Sequence, residues 1–276
     1  MKNISKYFLF VFLFLLYRIL PGQFSEIKVQ ELQQRLDSII SPVTYSGVTI
    51  SAKVVHADYY QTLFEYQPEA KVIPASITKL ITSACAFSKL GQSYQFQTLI
   101  YTDDYNLADG VINGNLYLKG YGDPDLNSSD ISYLSNHVIM TNIRQVTGNV
   151  IADETYFDNN YYSLAGYYSG DTGPSWWPYV NALALDKNKG SSNPALYAVD
   201  LLSIFLKSSN IELLGSTIAG KTPEGAKEIA QISHSIYDVI SYLNKESDNH
   251  SAITVFKLLG AKLNSNPGTI ENGQEV

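Results

Sequence analysis

Residues 74–82 read Pro74-Ala75-Ser76-Ile77-Thr78-Lys79-Leu80-Ile81-Thr82, a proline-led entry into an apolar run. Pro74 suits a chain entering a helix, and Leu80, Ile81, Ala84, Phe87 and Leu90 follow at helical period until Gly91 ends the pattern. A buried helix opening at Ser76 is therefore expected. Residues three apart on a helix share a face, so the Lys79 amine can reach the Ser76 hydroxyl. A serine hydroxyl is a poor nucleophile at neutral pH until a neighbour takes its proton, and a lysine can do so when burial or other cations hold it neutral. Ser76 and Lys79 are thus a candidate nucleophile and base, with an ordinary helix start and a solvated lysine as the competing reading. Ser25-Glu26-Ile27-Lys28 has the same spacing but lies in a polar stretch beside an expected cleavage site.

Residues 1–22 place Lys2 and Lys6 before an apolar run at 7–17, followed by Arg18 and the Pro21-Gly22 break. A permanent span needs about twenty apolar residues, so this segment reads as a signal peptide, with an uncleaved anchor as the alternative. The one cysteine, Cys85, has the apolar neighbours Ala84, Ala86 and Phe87 and reads as a core residue. An exported chain without disulfides points to the bacterial periplasm or cell envelope. The formal charge is −7, or −10 without Lys2, Lys6 and Arg18, which argues against nucleic acid and anionic membranes as partners. No histidine pair has metal-ligand spacing, and no cofactor or metal is expected. The sequence carries no signature of an oligomeric state. Of the 21 tyrosines many fall at 156–179, suggesting either an amphipathic groove or packed strands and loops.

In order along the chain, residues 29–40 read as a short amphipathic helix and residues 48–56 and 61–66 as a hairpin around Ala57-Asp58. Beyond Gly91 come short strand-like runs at 96–101, 114–118 and 146–153, punctuated by turn residues. Gly120-Tyr121-Gly122-Asp123-Pro124-Asp125-Leu126 is a dense turn cluster, and Asp171 to Pro178 reads as an irregular loop. A helix is expected at 193–207, a strand at 211–219 and a helix at 235–244. Ser247-Asp248-Asn249 then forms a polar link before the stripe Ile253, Val255, Phe256, Leu258 and Leu259. The triplet alone proves little, because Ser-x-Asn also occurs at Ser191 and Ser208; its place between two helices marks it out.

Ser-x-x-Lys opening a helix and Ser-Asp-Asn between two later helices resemble two of the three signatures of penicillin-binding proteins and serine β-lactamases. Ser76 and Ser247 lie 171 residues apart, a separation similar to that of type-4, class C low-molecular-mass penicillin-binding proteins, the D-Ala-D-Ala carboxypeptidase/endopeptidase family. The 120–126 run, Asp153 before Tyr156-Phe157, and Phe256-Lys257-Leu258-Leu259-Gly260 resemble that family in the same order, over roughly residues 28–264. The resemblance implies an α/β (α+β) transpeptidase-like fold: residues 1–22 as signal, 23–90 as its first part, 91–188 as an inserted β-rich module and 189–276 as the return. It implies acyl transfer on peptidoglycan peptides ending in D-Ala, with β-lactams as covalent inhibitors and no cofactor. Ser76 would be the nucleophile, Lys79 the general base and Ser247 the proton relay to the departing amine, while Asn249 would hold the substrate backbone or Lys79. Asp248 would serve the turn, and the Ser76 N–H would donate to the oxyanion.

Two features depart from that pattern. Ile253-Thr254 replaces the common Ala-Glu, and the third signature, Lys-Thr-Gly, is missing: Lys221-Thr222 runs into Pro223, and Thr172-Gly173 lacks the lysine. Only 27 residues follow Asn249, ending in a polar tail at 264–276, so the chain reads as the N-terminal portion of a longer product, weak or inactive alone. One rival is accordingly a non-catalytic remnant that binds peptidoglycan or penicillin. The other, a Ser-His-Asp hydrolase, would have to use His56, His137, His234 or His250, which are scattered and accompany no Gly-x-Ser-x-Gly elbow.

Overall fold

The computed structural model describes residues 25–44, 47–104, 106, 108–161, 179–188 and 193–276. The expected leader, the 171–178 loop and most of the tyrosine-rich stretch lie outside them. Two compact units divide the chain, residues 1–75 and 76–276. In the first, helix α1 (Glu26–Thr44) precedes an antiparallel hairpin of β1 (Ala52–Val55) and β2 (Thr62–Tyr66) with a bulge at Val54/Val55. Gln33 Nε2 donates to the Leu63 carbonyl (3.1 Å), tying helix to hairpin.

In the second unit, α2 (Thr78–Leu90) is entered through a 3-10 turn at Ala75–Ile77. A five-stranded sheet runs β10-β3-β5-β7-β9, drawn from β10 (Lys227–Ser235), β3 (Gln95–Thr102), β5 (Leu116–Gly120), β7 (Val150–Asp153) and β9 (Thr217–Ala219). Beside it lies a parallel three-stranded sheet of β4 (Val111–Ile112), β6 (Gln145–Val146) and β8 (Glu212–Leu213). The boundary expected at residue 188 runs through the larger sheet, because β9 and β10 lie beyond it.

The runs at 146–153 and 211–219, each expected as one strand, are each two strands in different sheets. The cause is a threefold repeat. Residues 111–118, 145–152 and 212–219 each place two residues in the small sheet, turn at Gly114, Gly148 or Gly215, and continue in the large one. These turns stack: the Gly148 N–H donates to the Gly114 carbonyl (2.8 Å), and a Cβ on Gly215 would lie 2.2 Å from the Gly148 carbonyl oxygen. Only glycine fits so close to neighbouring backbone. Asn115 Oδ1 accepts from the Asn149 N–H (2.8 Å) and Asn149 Oδ1 from the Ser216 N–H (2.9 Å), extending the ladder where the backbone bends.

Helix α3 (Ser128–Met140) and α4 (Pro194–Ser208) pack on the sheets through Ile131, Leu134, Val138, Ala198, Val199 and Leu202, all fully buried. The α3 helix stands within what was expected to be a β-rich stretch. Its start is a capping box, with Asn127 Oδ1 accepting from the Ser129 N–H and Asp130 Oδ2 from the Asn127 N–H. Strand β10, also unexpected, delivers the chain into α5 (Ile236–Lys245), which Ser235 caps. A short turn then leads into α6 (Asn249–Leu263). The 264–276 tail is ordered: α7 (Ile270–Glu275) packs on α6 where Gly260 and Gly273 allow backbone contact. A second core of Ala86, Phe96, Ile236, Val239, Leu243, Val255 and Leu258 joins α2, β3, α5 and α6. That packing brings the start of α2 to the α5–α6 turn.

Candidate active site

The buried face of α2 carries Lys79, Ser83 and Ala86. The apolar stripe expected to face the core is partly outside it: Leu80 is 56% and Ile81 72% exposed, as is Ile77 at 67%. The α2 face is chosen by its partners. Ala86 lets α5 and α6 approach, and Ser83 Oγ bridges the Lys79 carbonyl (2.8 Å) and Asn244 Oδ1 (3.0 Å) near the end of α5.

This arrangement puts Lys79 between two serines. Its Nζ donates to Ser76 Oγ at 2.9 Å and to Ser247 Oγ at 3.4 Å, across 168 residues of sequence. Three of the four sequence-expected site residues are thereby assembled. The fourth, Asn249, is the half-buried first residue of α6, two positions beyond Ser247. Burial lowers the Lys79 pKa from the ordinary lysine value, and the Asp248 carboxylate partly offsets this. Ala75 (φ 47°) and Ser247 (φ 53°) both take the left-handed conformation, which is strained for residues with a Cβ. Such strain persists only where surroundings impose it, and here it falls on the residue before Ser76 and on Ser247 itself.

Asp248 caps α6, accepting from the Ser251 N–H at 2.7 Å, and its own N–H donates to the Leu243 carbonyl. Burial pushes the Asp248 carboxyl up, but the Ser251 hydrogen bonds and the charges of Lys187 and His250 outweigh it and hold the pKa low. Lys187 is absent from the sequence-based site. Its Nζ lies 2.8 Å from Ser251 Oγ, 3.1 Å from Asp125 Oδ1 and 3.7 Å from Asp248 Oδ1, with the Tyr242 ring 4.6 Å away. It lines a cleft of about 560 Å³ together with Asp125, Asn127, Asp186, His234 and Tyr242.

The near-match Lys221-Thr222 stands elsewhere. The Thr222 N–H donates to Asp153 Oδ2 (2.8 Å), which closes the end of β9. His234 pairs with Asp123, His137 meets the Tyr133 carbonyl, and Lys79 stands at Ser76 where a triad would need an imidazole. His250 is the fully buried second residue of α6. Among the described residues no cluster of His, Cys, Asp or Glu could hold a metal, and no helix is long and apolar enough to cross a membrane.

Comparison with known proteins gives a concordant result. A family model described as D-Ala-D-Ala carboxypeptidase 3 (S13) matches residues 32–192 and 189–276. The D-alanyl-D-alanine carboxypeptidase of Actinomadura sp. (strain R39) is 29% identical over 154 residues, which are 56% of this chain and 27% of that protein. Penicillin binding protein 4 (dacB) of Haemophilus influenzae has a similar fold, with a TM-score of 0.70 at 17% identity, covering 81% of this chain and 65% of the other. The same protein complexed with a β-lactam gives 0.64 at 19% identity, covering 86% and 67%. The chain thus spans about a quarter of the matched relative and about two thirds of the solved chain.

Proposed function

This chain belongs to the D-Ala-D-Ala carboxypeptidase 3 (S13) family, and from that premise we propose that it performs serine-type acyl transfer on peptidoglycan peptides ending in D-Ala. The observation that carries the reading is the placement of Lys79 Nζ between Ser76 Oγ and Ser247 Oγ. Neutral Lys79 takes the Ser76 proton as Oγ attacks the carbonyl of the penultimate residue. The Ser76 N–H donates to the oxygen that becomes negative. Ser247 passes a proton to the departing D-Ala nitrogen and is resupplied from Lys79, so the C–N bond breaks to leave an ester on Ser76. Water then hydrolyses the ester: the same lysine takes a proton from the attacking water and returns it to Ser76 Oγ as the C–O bond breaks. Asn249, at the mouth of the turn, holds the substrate backbone.

A β-lactam carbonyl would enter the same cycle and remain on Ser76, and the solved β-lactam complex of a fold neighbour supports that reading. The leader at 1–22 and the cell-wall substrate together favour export to the periplasm or cell envelope. A fluorescent penicillin tests the proposal: the chain should become covalently labelled on Ser76, and Ser76→Ala should lose the label. A folded chain that takes no label would refute it and favour the non-catalytic remnant.

A further inference from the structure

Lys187 belongs to a turn whose backbone is unusual. Asp186, Lys187 and Asn188 all take positive φ (49°, 55° and 57°), and none is glycine. Three left-handed residues in succession survive only where the surroundings over-determine them. Here they do. Asn188 Nδ2 donates to the Tyr179 carbonyl (2.9 Å) and to Asn181 Oδ1 (2.8 Å). The Asp186 N–H donates to the Leu126 carbonyl (3.0 Å), and Asp186 Oδ2 accepts from Ser128 Oγ (2.7 Å) at the start of α3.

The turn delivers one ammonium to a narrow place. Lys187 Nζ donates to the Pro124 carbonyl (3.0 Å) and Asp125 Oδ1 on one side and to Ser251 Oγ on the other, with Asp248 within 3.7 Å. Its side chain is only 13% exposed, with oxygen partners on both sides of the amine. We propose that Lys187 is a positioning residue for the acyl-transfer site: it clamps the Ser247-Asp248-Asn249 turn to the 120–126 turn and holds the Asp248 carboxylate at the cleft, away from Lys79. The inference rests on the acyl-transfer reading of Ser76 and Lys79.

The electrostatics follow from the neighbours. Asp248 is the charged group whose field reaches Lys79 and favours its protonated form. Lys187 and His250 face Asp248, while Asp125, Asp186, His234 and Tyr242 share the Lys187 cleft. Without Lys187 the Asp248 carboxylate loses the cation beside it at the cleft and is free to turn toward Lys79, where it favours the charged amine and makes Lys79 a poorer base at neutral pH.

Competitive labelling of the whole chain with an amine-reactive anhydride, read residue by residue by mass spectrometry across the pH range, reports the neutral fraction of Lys79 without requiring turnover. Lys187→Met should cut Lys79 labelling about three-fold at each pH below its midpoint, and Lys187→Arg should restore it. In an Asp248→Asn background Lys187→Met should have no such effect, a coupling that a merely structural role would not produce. Unchanged Lys79 labelling in folded Lys187→Met overturns the proposal, and so does a drop that persists in Asp248→Asn. If Lys187→Met does not fold, Lys187→Gln is read in the same way, a fall in Lys79 labelling being expected and unchanged labelling overturning the proposal. Penicillin labelling run in parallel separates the two ideas: an unlabelled parent chain sinks the acyl-transfer reading while the Lys79 titration still reports on Lys187.

Discussion

Replacing His234 with Gln removes a cation that ties β10 to the 120–126 turn. His234 Nδ1 lies 2.8 Å from the fully buried Asp123 carboxylate, and Nε2 lies 3.5 Å from Asp130, the capping-box residue of α3. The hydrogen bond to Asp123 pushes the imidazole pKa up to about 9; burial opposes this, and the charges of Asp123, Asp130 and Asp125 add to it. Because the folded value exceeds the unfolded one, about 6.5, the stabilisation is complete below pH 6.5 and disappears as pH rises through about 9. A rise of that size corresponds to about 3 kcal/mol, and solvent screening of a side chain 23% exposed brings it to about 1–3 kcal/mol. Urea unfolding of parent and His234→Gln should therefore differ by about 1–3 kcal/mol near pH 6, and the gap should shrink by most of that amount near pH 10. Comparing the two chains at each pH cancels the titration of other groups. A gap that stays the same at both pH values would refute the argument, since it would mean that a neutral imidazole holds Asp123 as well as a charged one does.

Two further substitutions read other parts of the structure. Lys257 is fully buried in α6 and donates to Asp158 Oδ1 (2.6 Å) and the Asn160 carbonyl (2.7 Å), so Lys257→Met strands a carboxylate that is 25% exposed. It should cost about 2–4 kcal/mol in urea unfolding, part of which Lys257→Met with Asp158→Asn recovers. Ser247→Gly should act in opposite directions on stability and activity: relief of the left-handed residue (φ 53°) gains about 0.5–1 kcal/mol, while loss of the hydroxyl lowers penicillin labelling about 100-fold or more. Labelling at the parental rate in Ser247→Gly would remove Ser247 from the proton path.

Elements written in local spacing were legible. Gly91 ends α2, Asn193 caps α4 ahead of Leu196, Val199, Leu202 and Leu206, and Ser235 caps α5 ahead of Ile236, Val239, Ile240 and Leu243. The elements missed are those where a second influence cuts across the period. In β10 a bulge between Glu228 and Ala230 breaks the alternation of buried residues, so the nine residues do not read as one strand. The split at Gly148 and Gly215 was written in the sequence, as Gly114-Asn115, Gly148-Asn149 and Gly215-Ser216 each have an apolar residue two before the glycine (Ile112, Val146, Leu213) and another three after it (Tyr117, Ile151, Ile218). It becomes visible only when the three segments are compared with one another, because Gly148 and Gly215 are each required by the backbone of the preceding repeat, and Gly114 by Asp103, and not by their own turns. The α3 start was likewise spelled out by Asn127 and Asp130, but the surrounding turn residues concealed it.

The candidate site divides in the same way, between what is set by spacing and what is set by charge. Ser76 and Lys79 meet because they are three apart, and Ser247 lies in a polar turn between two helices, so all three could be read from the chain. The state of Lys79 could not be read. It depends on burial against α5 and α6 and on Asp248, which the Ser251 hydrogen bonds and then Lys187 hold ionised, Lys187 lying 62 residues from Asp125 and 64 from Ser251. Lys187 itself stands in a polar triplet with no glycine to announce a left-handed turn. A motif names the atoms that would exchange the proton in the proposed acyl transfer; the direction in which that proton would move at neutral pH is set by side chains brought in from far along the sequence.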